Sequence, residues 1–535
     1  MASNAVARAA ECSSALNSTA LVDLQTSPDG SKRSSERLNK RAADPNVPAL
    51  GRSVAFEDEF EPPLAQSIKS IPRQHDVQQI RPPVTEAPKP SLLASIEPNR
   101  MEHRPVLTKC ICGLTLAVAG NIESREERKE LNDDLAGLED LDRLLASVAV
   151  VGAGPAGFYT ASQLLKNPDL RVDVFEQLPV PYGLVRYGVA PDHPDVKNVI
   201  QKFASLAESP AFRLIGNVTV GVDVALADLR AAYDAVVLCY GARGERKLGI
   251  PGEDSVSNSF SSRAFVGWYN GDPQHADLPV DLTCTDTAVV VGQGNVALDI
   301  ARILLMPIDE LAKTDIAKHA LDTLAVSRIR RVHIVGRRGP VHAAFTSKEL
   351  REMLALPTAR LVADAAWLAT QTSLYSDLLK KDRARRRLME LLLKGASNAS
   401  VSHAESLKRW SLDFLLSPRG LVLDKSGGAI AGVEFEMNAL SGEGLEQRAI
   451  GTGELKQIAA GLLVSSVGYQ NRAIEGVRVD SKLGHIAHSR GRVDGEAALY
   501  VAGWIKTGPR GVIASTMYEA FETAESLLED ASHVL

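Results

Sequence analysis

The sequence predicts an α/β architecture with mainly parallel sheets, and three observations lead to it. From Ser147 onward, short apolar runs alternate with segments of helical periodicity, as expected for parallel strands joined by crossover helices. Two of these runs, at 148–151 and 288–291, lead directly into glycine-rich turns that precede a helical segment. Residues 1–146 lack the alternation, so we expect the folded part of the chain to begin after them.

The composition of the 535-residue chain excludes several classes of protein. Its hydrophobic fraction of 45% and charged fraction of 24% are those of a globular protein. The formal net charge of −6 gives no overall attraction to nucleic acid, and we expect no nucleic-acid partner. The apolar run from Cys110 to Ala119 is too short to cross a bilayer, so we expect a soluble protein with at most peripheral membrane association.

The N-terminal segment, 1–146, is predicted to be a disordered extension. Phe56 and Phe60 are its only aromatic residues, and eight prolines lie from Pro62 to Pro98. A segment of this composition buries too little apolar surface to offset the entropy lost when its backbone is ordered. Leucines spaced through 123–145 indicate at most a short amphipathic helix at its end.

Whether this extension contains an organelle-targeting leader stays open from the sequence. The first 22 residues are rich in alanine and serine, with Arg8 as the only base. However, Glu11 interrupts them and further acids follow at Asp23 and Asp29, whereas transit peptides are basic and poor in acids. A cleavable leader and a plain extension are therefore both compatible with these residues.

The first glycine-rich turn predicts a dinucleotide site with an acid at the end of its second strand. Gly152, Gly154 and Gly157 form a G-x-G-x-x-G sequence between an apolar strand and a helix. Glycines in this context let the backbone approach a pyrophosphate, which binds at the helix N-terminus. The next strand ends at Glu176, at the spacing expected for a carboxylate that binds ribose hydroxyls.

The second glycine-rich turn predicts another dinucleotide site, but with bases at the strand end. Gly292 and Gly294 begin the sequence G-Q-G-N-V-A, in which alanine replaces the third glycine and still permits close helix packing. The following strand, 331–336, ends at Arg337 and Arg338. Guanidinium groups at this place bind the 2′-phosphate of NADP, whereas a carboxylate would repel it. The second site is therefore predicted to prefer NADP over NAD.

These two strand ends indicate two different cofactors in one chain. The acidic end suits FAD, whose ribose hydroxyls are free, and the basic end suits NADPH. A protein that holds both is expected to transfer a hydride from the nicotinamide to the flavin. The fold class predicted is thus α/β with two Rossmann-like dinucleotide-binding domains behind a disordered N-terminal extension.

The C-terminal part is predicted to close the flavin site. A short strand at 499–504 ends in a turn, and a glycine-rich segment at 508–513 precedes a long helix from about Ala514. Backbone N–H groups at this helix start are expected to stabilise negative charge on a reduced flavin. Trp504 is a candidate to cover the flavin or the nicotinamide, although a core position suits the same residue.

The cysteines exclude some electron acceptors within the chain. The sequence has five cysteines and contains neither a C-x-x-C pair nor a four-cysteine run. Enzymes that reduce disulfides use a close cysteine pair, and iron–sulfur clusters need a set of thiolate ligands. The electron path within this chain is therefore expected to end at an organic cofactor.

Several longer stretches carry a family resemblance. They are VVGAGPAGFYTA at 150–161, PYGLVRYGVAPDHPDVKNV at 181–199, RAFVGWYNG at 263–271, GQGNVALDIARILL at 292–305, IVGRRGP at 334–340, FTSKELREM at 345–353 and GWIKTGPRGVIAST at 503–516. These stretches resemble the mitochondrial NADPH–ferredoxin reductases of the adrenodoxin reductase family, and the resemblance runs from 147 to 528.

The resemblance implies a domain organisation and a set of binding residues. The family's FAD-binding domain is discontinuous, which corresponds here to 147–245 and 457–535, with an NADP-binding domain inserted at 246–456. The implied FAD contacts, with the fingerprint glycines, are Gly152, Gly154, Ala156, Gly157, Glu176, Leu184, Val220, Trp504, Gly511, Val512 and Ile513. The implied NADP contacts are Gly292, Gln293, Gly294, Asn295, Val296, Arg337, Arg338, Glu349 and Gly511.

The resemblance also implies an activity and a partner. It implies electron transfer from NADPH through FAD to a small acidic [2Fe–2S] ferredoxin, in a monomeric protein of the mitochondrial matrix. Lys348 and Arg351 are candidates to bind this partner, whereas the basic run at 380–387 is interpreted as a solvated helix face. No general acid or base and no metal ligand is assigned. His193 is a candidate to lie near the flavin, and a structural loop histidine is the alternative.

Two other functions remain as alternatives. The first is the NADPH-oxidising flavin module of glutamate-synthase-like systems, which shares the two fingerprints. Such modules carry cysteine-rich cluster motifs near the N-terminus, and this sequence lacks them. The second alternative is a flavin-bound redox sensor without enzymatic activity, which would require a defective NADP site.

Overall fold

The computed structural model of the chain describes residues 146–399, 407–425, 427–480 and 482–534. The predictions for the N-terminal extension, including disorder, a leader and a short helix, concern residues outside the described ranges. Within those ranges, none of the helices combines the length and apolar character needed to cross a membrane.

Strands and helices alternate along most of the described chain. The strands are β1 (Ala146–Val151), β2 (Leu170–Phe175), β3 (Phe212–Ile215), β4 (Ala235–Leu238), β5 (Gly244–Glu245), β6 (Ser259–Ser261), β7 (Thr287–Val291), β8 (Arg331–Val335), β9 (Ala359–Val362), β10 (Lys408–Asp413), β11 (Leu416–Leu423), β12 (Ile430–Ser441), β13 (Arg448–Ala459), β14 (Leu462–Ser465), β15 (Tyr469–Gln470), β16 (His488–Ser489), β17 (Arg492–Val493) and β18 (Leu499–Val501).

The helices flank these strands in sequence. They are α1 (Pro155–Leu164), α2 (Leu184–Tyr187), α3 (Pro194–Lys197), α4 (Val199–Ala207), α5 (Leu226–Ala232), α6 (Ser262–Asn270), α7 (Asn295–Leu305), α8 (Ile308–Leu311), α9 (Lys318–Ala325), α10 (Ser347–Leu354), α11 (Ala365–Leu374), α12 (Ser376–Lys381), α13 (Arg383–Ala399), α14 (Trp504–Thr507) and α15 (Ile513–Val534).

The first sheet has the strand order β16-β17-β18-β4-β1-β2-β3, and its central strands are parallel. Alternate residues of β1 pack on opposite faces, because Val148 and Val150 join one apolar cluster while Ala149 and Val151 join another. Helices α1 and α15 pack together on the first of these faces. A strand buried on both faces explains the unbroken apolar run in the sequence.

The second sheet is parallel throughout and has the order β6-β14-β7-β8-β10-β9. Helix α7 covers one face of β7 and β8. The antiparallel sheet β11-β12-β13 contributes Val433 and Phe435 to the apolar cluster on the other face, against Val289 and Val335. Each fingerprint turn therefore lies at the carboxyl end of a central parallel strand, where ligands bind in open α/β sheets.

The chain passes between the two sheets twice, and the two connecting segments pair with each other. Strand β5, on the way out, pairs antiparallel with β15, on the way back. The boundary predicted at 456 falls inside β13, and β14 pairs with β6 and β7 of the second sheet. By strand pairing the second sheet thus extends to Ser465, because a segment beyond the predicted boundary fills a central place in it.

Candidate cofactor-binding site

The first fingerprint turn is held by close backbone contacts. Gly152 has a φ of +109°, and a Cβ there would lie 2.7 Å from the carbonyl oxygen of Cys239. A Cβ on Gly157, which lies in α1, would meet the carbonyl oxygen of Gly152 at 2.0 Å. Ala156 is buried beside them. Side chains are therefore excluded at both glycines, and α1 packs directly onto the turn.

Gly154 has the opposite surroundings, because it faces open space. It is the N-cap of α1 in an extended conformation, and no side chain caps the helix. A Cβ on Gly154 would have nothing within 4 Å. The first N–H groups of a helix have no partner within the helix and attract anions. This uncapped, open helix start fits a pyrophosphate, so the residues present suit the dinucleotide that the sequence implies.

Glu176 is buried at the end of β2 and reaches back to this turn. Its carboxylate accepts hydrogen bonds from the backbone N–H of Ala153, at 2.8 Å, and of Leu178, at 3.0 Å. Burial raises the pKa of Glu176, while these N–H groups and the charge of Arg243 act in the opposite direction. Each carboxylate oxygen keeps a further lone pair, so Glu176 can still accept a ribose hydroxyl.

Other predicted flavin-binding segments lie against the same turn. The Tyr182 N–H donates to the carbonyl of Ala153 at 2.7 Å, which places the start of α2, at Leu184, beside it. The Val218 N–H donates to the carbonyl of Glu176 at 2.9 Å, and Val220 follows in the same loop. Backbone hydrogen bonds therefore bring these sequence-distant segments next to the first fingerprint turn and the end of β2.

The C-terminal closure meets the groove from the other side. A Cβ on Gly503 would lie 2.6 Å from the Cβ of Ala156, so the turn before Trp504 touches α1. The Trp504 ring is partly buried and packs on Tyr469, with ring centroids 5.4 Å apart. Gly511 and Val512 are exposed, and α15 begins directly after them at Ile513. The Val512 N–H donates to Ser515 Oγ at 3.0 Å.

The second fingerprint repeats the first in its backbone. Gly292 has a φ of +135°, and a Cβ there would meet the carbonyl oxygen of Ser466 at 2.0 Å. Gly294 is the uncapped N-cap of α7, with nothing within 4 Å of a Cβ. The Asn295 side chain accepts the Thr346 N–H at 2.8 Å, and Gln293 lies against Gly336. Val296 lies partly buried in the first turn of α7.

Arg337 and Arg338 follow β8, and the charge of Glu446 acts on Arg338 without forming a salt bridge among the described residues. Arg337 is exposed, and Arg338 is half-buried with a hydrogen bond to the carbonyl of Leu445 at 3.4 Å. Burial lowers the pKa of Arg338, and the charges of Arg337 and Arg385 lower it further. Among the salt bridges of the described residues, none involves Arg337 or Arg338. Two guanidinium groups without a carboxylate suit a phosphate ligand.

Helix α10 separates two predicted roles by its faces. The Thr346 side chain caps it by accepting the Glu349 N–H at 3.4 Å, as a threonine at an N-cap does. Glu349 is buried, whereas Lys348 and Arg351 are exposed. The predicted NADP residue and the predicted partner-binding residues therefore lie on the same helix but face in different directions.

His193 lies in a partly buried charge cluster that could not be predicted from the sequence. Its Nε2 is 2.8 Å from Glu352 Oε2 on α10 and 3.2 Å from Nη2 of Arg302 on α7. Arg302 is paired with Asp192, which precedes His193. The structure thus connects His193 to both helices of the second sheet that carry predicted NADP residues.

Acidic groups in this cluster have displaced pKa values. Burial, with the charges of Asp299 and Glu352, raises the pKa of Glu349 to about 7. Burial likewise raises the pKa of Asp299, against the effect of Arg302. Side-chain atoms of His193, Glu349 and Glu352 lie within 4.8 Å of one another. Arg302 Nη1 is 3.6 Å from both glutamates and already supplies positive charge there, so we assign no metal.

The cysteines in the described residues, Cys239 and Cys284, are free. Burial raises the pKa of Cys239 to about 12, so its thiol stays protonated at neutral pH. Cys284 is exposed and donates to the carbonyl of Asp281 at 3.6 Å. Neither residue has the cysteine partner that thiol–disulfide chemistry requires.

Comparison with known proteins connects this double site to one family. The family model of pyridine nucleotide-disulphide oxidoreductases matches residues 146–356. Human mitochondrial NADPH:adrenodoxin oxidoreductase is 49% identical over 72% of this chain and 78% of its own length. The chain belongs to the NADPH:adrenodoxin oxidoreductase family. The Arabidopsis thaliana member is 44% identical over 72% of this chain and 82% of its own length.

A solved structure of similar fold supports the same family. FprA from Mycobacterium tuberculosis, in complex with NADPH, is 40% identical with a TM-score of 0.68. It covers 72% of this chain, and the match covers 85% of FprA. The family and the α/β fold class predicted from the motifs are therefore confirmed, while the individual cofactor and partner contacts stay predictions.

Proposed function

We propose that the chain oxidises NADPH and passes the electrons through FAD to a [2Fe–2S] ferredoxin. The observation that carries this proposal is the pair of open, uncapped helix starts at Gly154 and Gly294, one with an acid at the following strand end and one with two bases. Membership of the NADPH:adrenodoxin oxidoreductase family supports the same assignment.

FAD is proposed to bind in the groove of the first fingerprint. The uncapped N–H groups of α1 hold its pyrophosphate, and Glu176 accepts a ribose hydroxyl. Leu184, Val220 and the segment from Gly511 to Ile513 line the rest. When bound, FAD supplies an acceptor that takes up a hydride and releases electrons one at a time.

NADPH is proposed to bind along the second fingerprint. The N-terminus of α7, from Gln293 to Val296, holds the pyrophosphate, while Arg337 and Arg338 bind the 2′-phosphate. Glu349 and Gly511 would also contact NADPH, and Trp504 would cover the flavin or the nicotinamide. The protein supplies position and charge, and no side-chain nucleophile is needed.

The partner is proposed to be an acidic ferredoxin that docks on the exposed face of α10. Lys348 and Arg351 lie there, exposed, on the helix that carries the buried Glu349. A local basic surface can steer an acidic protein even when the net charge is negative. Because the similar proteins from human, mouse and Arabidopsis thaliana are named mitochondrial, we place the chain in the mitochondrial matrix, as a monomer with at most peripheral membrane association.

The acceptor is tested by cytochrome c reduction with the purified full chain, FAD and NADPH. We expect little reduction until a small [2Fe–2S] ferredoxin is added, and then a rate that rises with ferredoxin concentration and falls with salt. A rate independent of ferredoxin would contradict the proposed acceptor. The absorption spectrum of the bound flavin, recorded on the same sample, establishes that the enzyme is loaded.

A further inference from the structure

Arg302 connects the two halves of the double site. It lies on α7, directly after the second fingerprint, and only 2% of its surface is exposed. Its Nε donates to Asp192 Oδ2 at 2.5 Å and its Nη2 to Asp192 Oδ1 at 3.0 Å. Asp192 belongs to the loop that connects elements of the first sheet. A buried two-point ion pair therefore spans the two predicted domains.

The same guanidinium also contacts an acid on its own helix, α7, and faces α10. Nη2 donates to Asp299 Oδ1 on α7 at 2.8 Å. Nη1 lies 3.6 Å from Glu349 Oε2 and from Glu352 Oε2, and it makes no hydrogen bond among the described residues. One side chain thus contacts or faces acids from the 190–197 loop, from α7 and from α10.

This geometry requires an arginine rather than a positive charge of any shape. A planar guanidinium can bridge both oxygens of Asp192 and reach Asp299 at once, whereas an ammonium is a point donor. Burying such a charge is costly unless every partner is well placed. Holding the two sheets together does not by itself require a buried arginine. The more exposed ion pair of Lys197 and Asp315, at 2.7 Å, also joins the two sheets.

We propose that Arg302 is a positioning residue for the hydride transfer, an inference that rests on the proposed function. It fixes the Asp192–His193 loop against α7 and α10, and so fixes the FAD-binding part of the chain relative to the NADPH-binding part. Hydride transfer depends on the approach of the two rings, and a displacement of about 1 Å can lower such a rate about 100-fold. In this role Arg302 acts through its ion pair with Asp192.

The test compares Arg302→Lys, Asp192→Asn and the double variant, each as the full chain loaded with FAD. Three quantities are measured: the flavin content, the dissociation constant of NADP⁺ from its effect on the flavin spectrum, and the limiting anaerobic rate of flavin bleaching by NADPH. We expect each single variant to lower the limiting rate about tenfold or more, with a much smaller change in flavin content and NADP⁺ affinity. The double variant is expected to be no slower than the slower single variant, because paired residues act as a unit.

Lys197→Met is the matched control, since it removes another ion pair between the two sheets, the one with Asp315, and should leave the limiting rate unchanged. The positioning role would be overturned if Arg302→Lys bleached at the wild-type limiting rate. It would also be overturned if the rate decreases of the two single variants multiplied in the double variant. If Arg302→Lys does not fold, the test rests on Asp192→Asn, which keeps the size of the side chain. Its limiting rate of flavin bleaching is then compared with that of the wild type. A loaded wild-type chain that NADPH does not bleach would instead overturn the proposed function.

Discussion

At the residue scale, charges of opposite sign occupy equivalent places in the two halves of the molecule. Glu176 follows β2, the strand after the first fingerprint, and Arg337 and Arg338 follow β8, the strand after the second. The carboxylate is oriented by two backbone N–H groups. The two guanidinium groups have no carboxylate partner among the described salt bridges. We propose that this difference sets which nucleotide each groove accepts.

Replacing both arginines, as Arg337→Gln with Arg338→Gln, is expected to weaken NADPH recognition but not NADH recognition. A hydrogen bond to a charged group contributes about 1.5–3 kcal/mol, so the KM for NADPH should rise about 10- to 100-fold. Steady-state kinetics with both nucleotides measures this. Arg331→Gln, which removes an exposed pair with Asp286 at the start of the same strand, is the control. An unchanged KM for NADPH would refute the assigned role.

Glu349 is expected to make stability depend on pH. Burial in the folded chain raises the pKa of Glu349 from its ordinary value of 4.5 to about 7, so folded Glu349 keeps a proton that the unfolded chain releases. Stability from this group is present at low pH and is lost as pH rises from about 5 to about 7. The unfolding midpoint of the wild type should therefore fall relative to Glu349→Gln across this interval. A constant difference would contradict this, and Glu454→Gln, at an exposed site, is the control.

At the scale of elements, each groove is formed by one strand, one turn and one helix start. The strand is buried on both faces, the first glycine permits the turn, and the helix start stays uncapped and open. These local requirements explain why both grooves could be predicted from short stretches of sequence. Gly152 lies against the residue after β4, and Gly292 lies against the residue after β14. Each of these strands pairs in parallel with the strand that precedes the glycine.

Gly294→Val is expected to separate folding from nucleotide binding. The backbone of Gly294 is extended and no atom lies within 4 Å of a Cβ, so the side chain fits without strain but fills the groove. The variant should keep its flavin spectrum and wild-type unfolding midpoint while losing NADPH-dependent bleaching by more than about tenfold. Gly154→Val is the matched variant and should lose FAD instead. Normal NADPH turnover by Gly294→Val would show that the groove is not the site.

Features formed by distant residues could not be predicted in the same way. Arg302 lies inside a motif that the sequence analysis used, but an arginine in a helix is usually exposed. Its partner Asp192 is far away in the chain, and no local pattern pairs them. The place of β14 between β6 and β7 likewise depends on long-range pairing, which no local sequence pattern shows.

At the scale of the whole molecule, two sheets joined by the paired strands β5 and β15 hold two grooves within one unit. The exposed face of α10 lies outside this double site. Lys348 and Arg351 lie on this exposed face, and Glu349 and Glu352 of the same helix face Arg302. The proposed partner surface and the proposed nucleotide site therefore share α10.

Lys348→Gln with Arg351→Gln is expected to weaken ferredoxin docking. Removing two exposed charges should raise the KM for the ferredoxin about 3- to 10-fold at low salt, and less at high salt. Ferredoxin-dependent cytochrome c reduction measures it, with ferricyanide reduction as the reference for turnover without a protein partner. Lys318→Gln, which removes an exposed pair with Asp322, should behave as the wild type. Equal KM values for the double variant and the wild type would place docking elsewhere.

We propose that one chain holds FAD and NADPH in two distinct grooves and moves a hydride between them. The decisive measurement is anaerobic mixing of the FAD-loaded full chain with one equivalent of NADPH and, separately, of NADH. We expect complete bleaching of the flavin absorbance by NADPH and much slower bleaching by NADH. A flavin that stays oxidised after addition of NADPH would rule out the proposed hydride transfer, and equal rates with both nucleotides would rule out the role of Arg337 and Arg338.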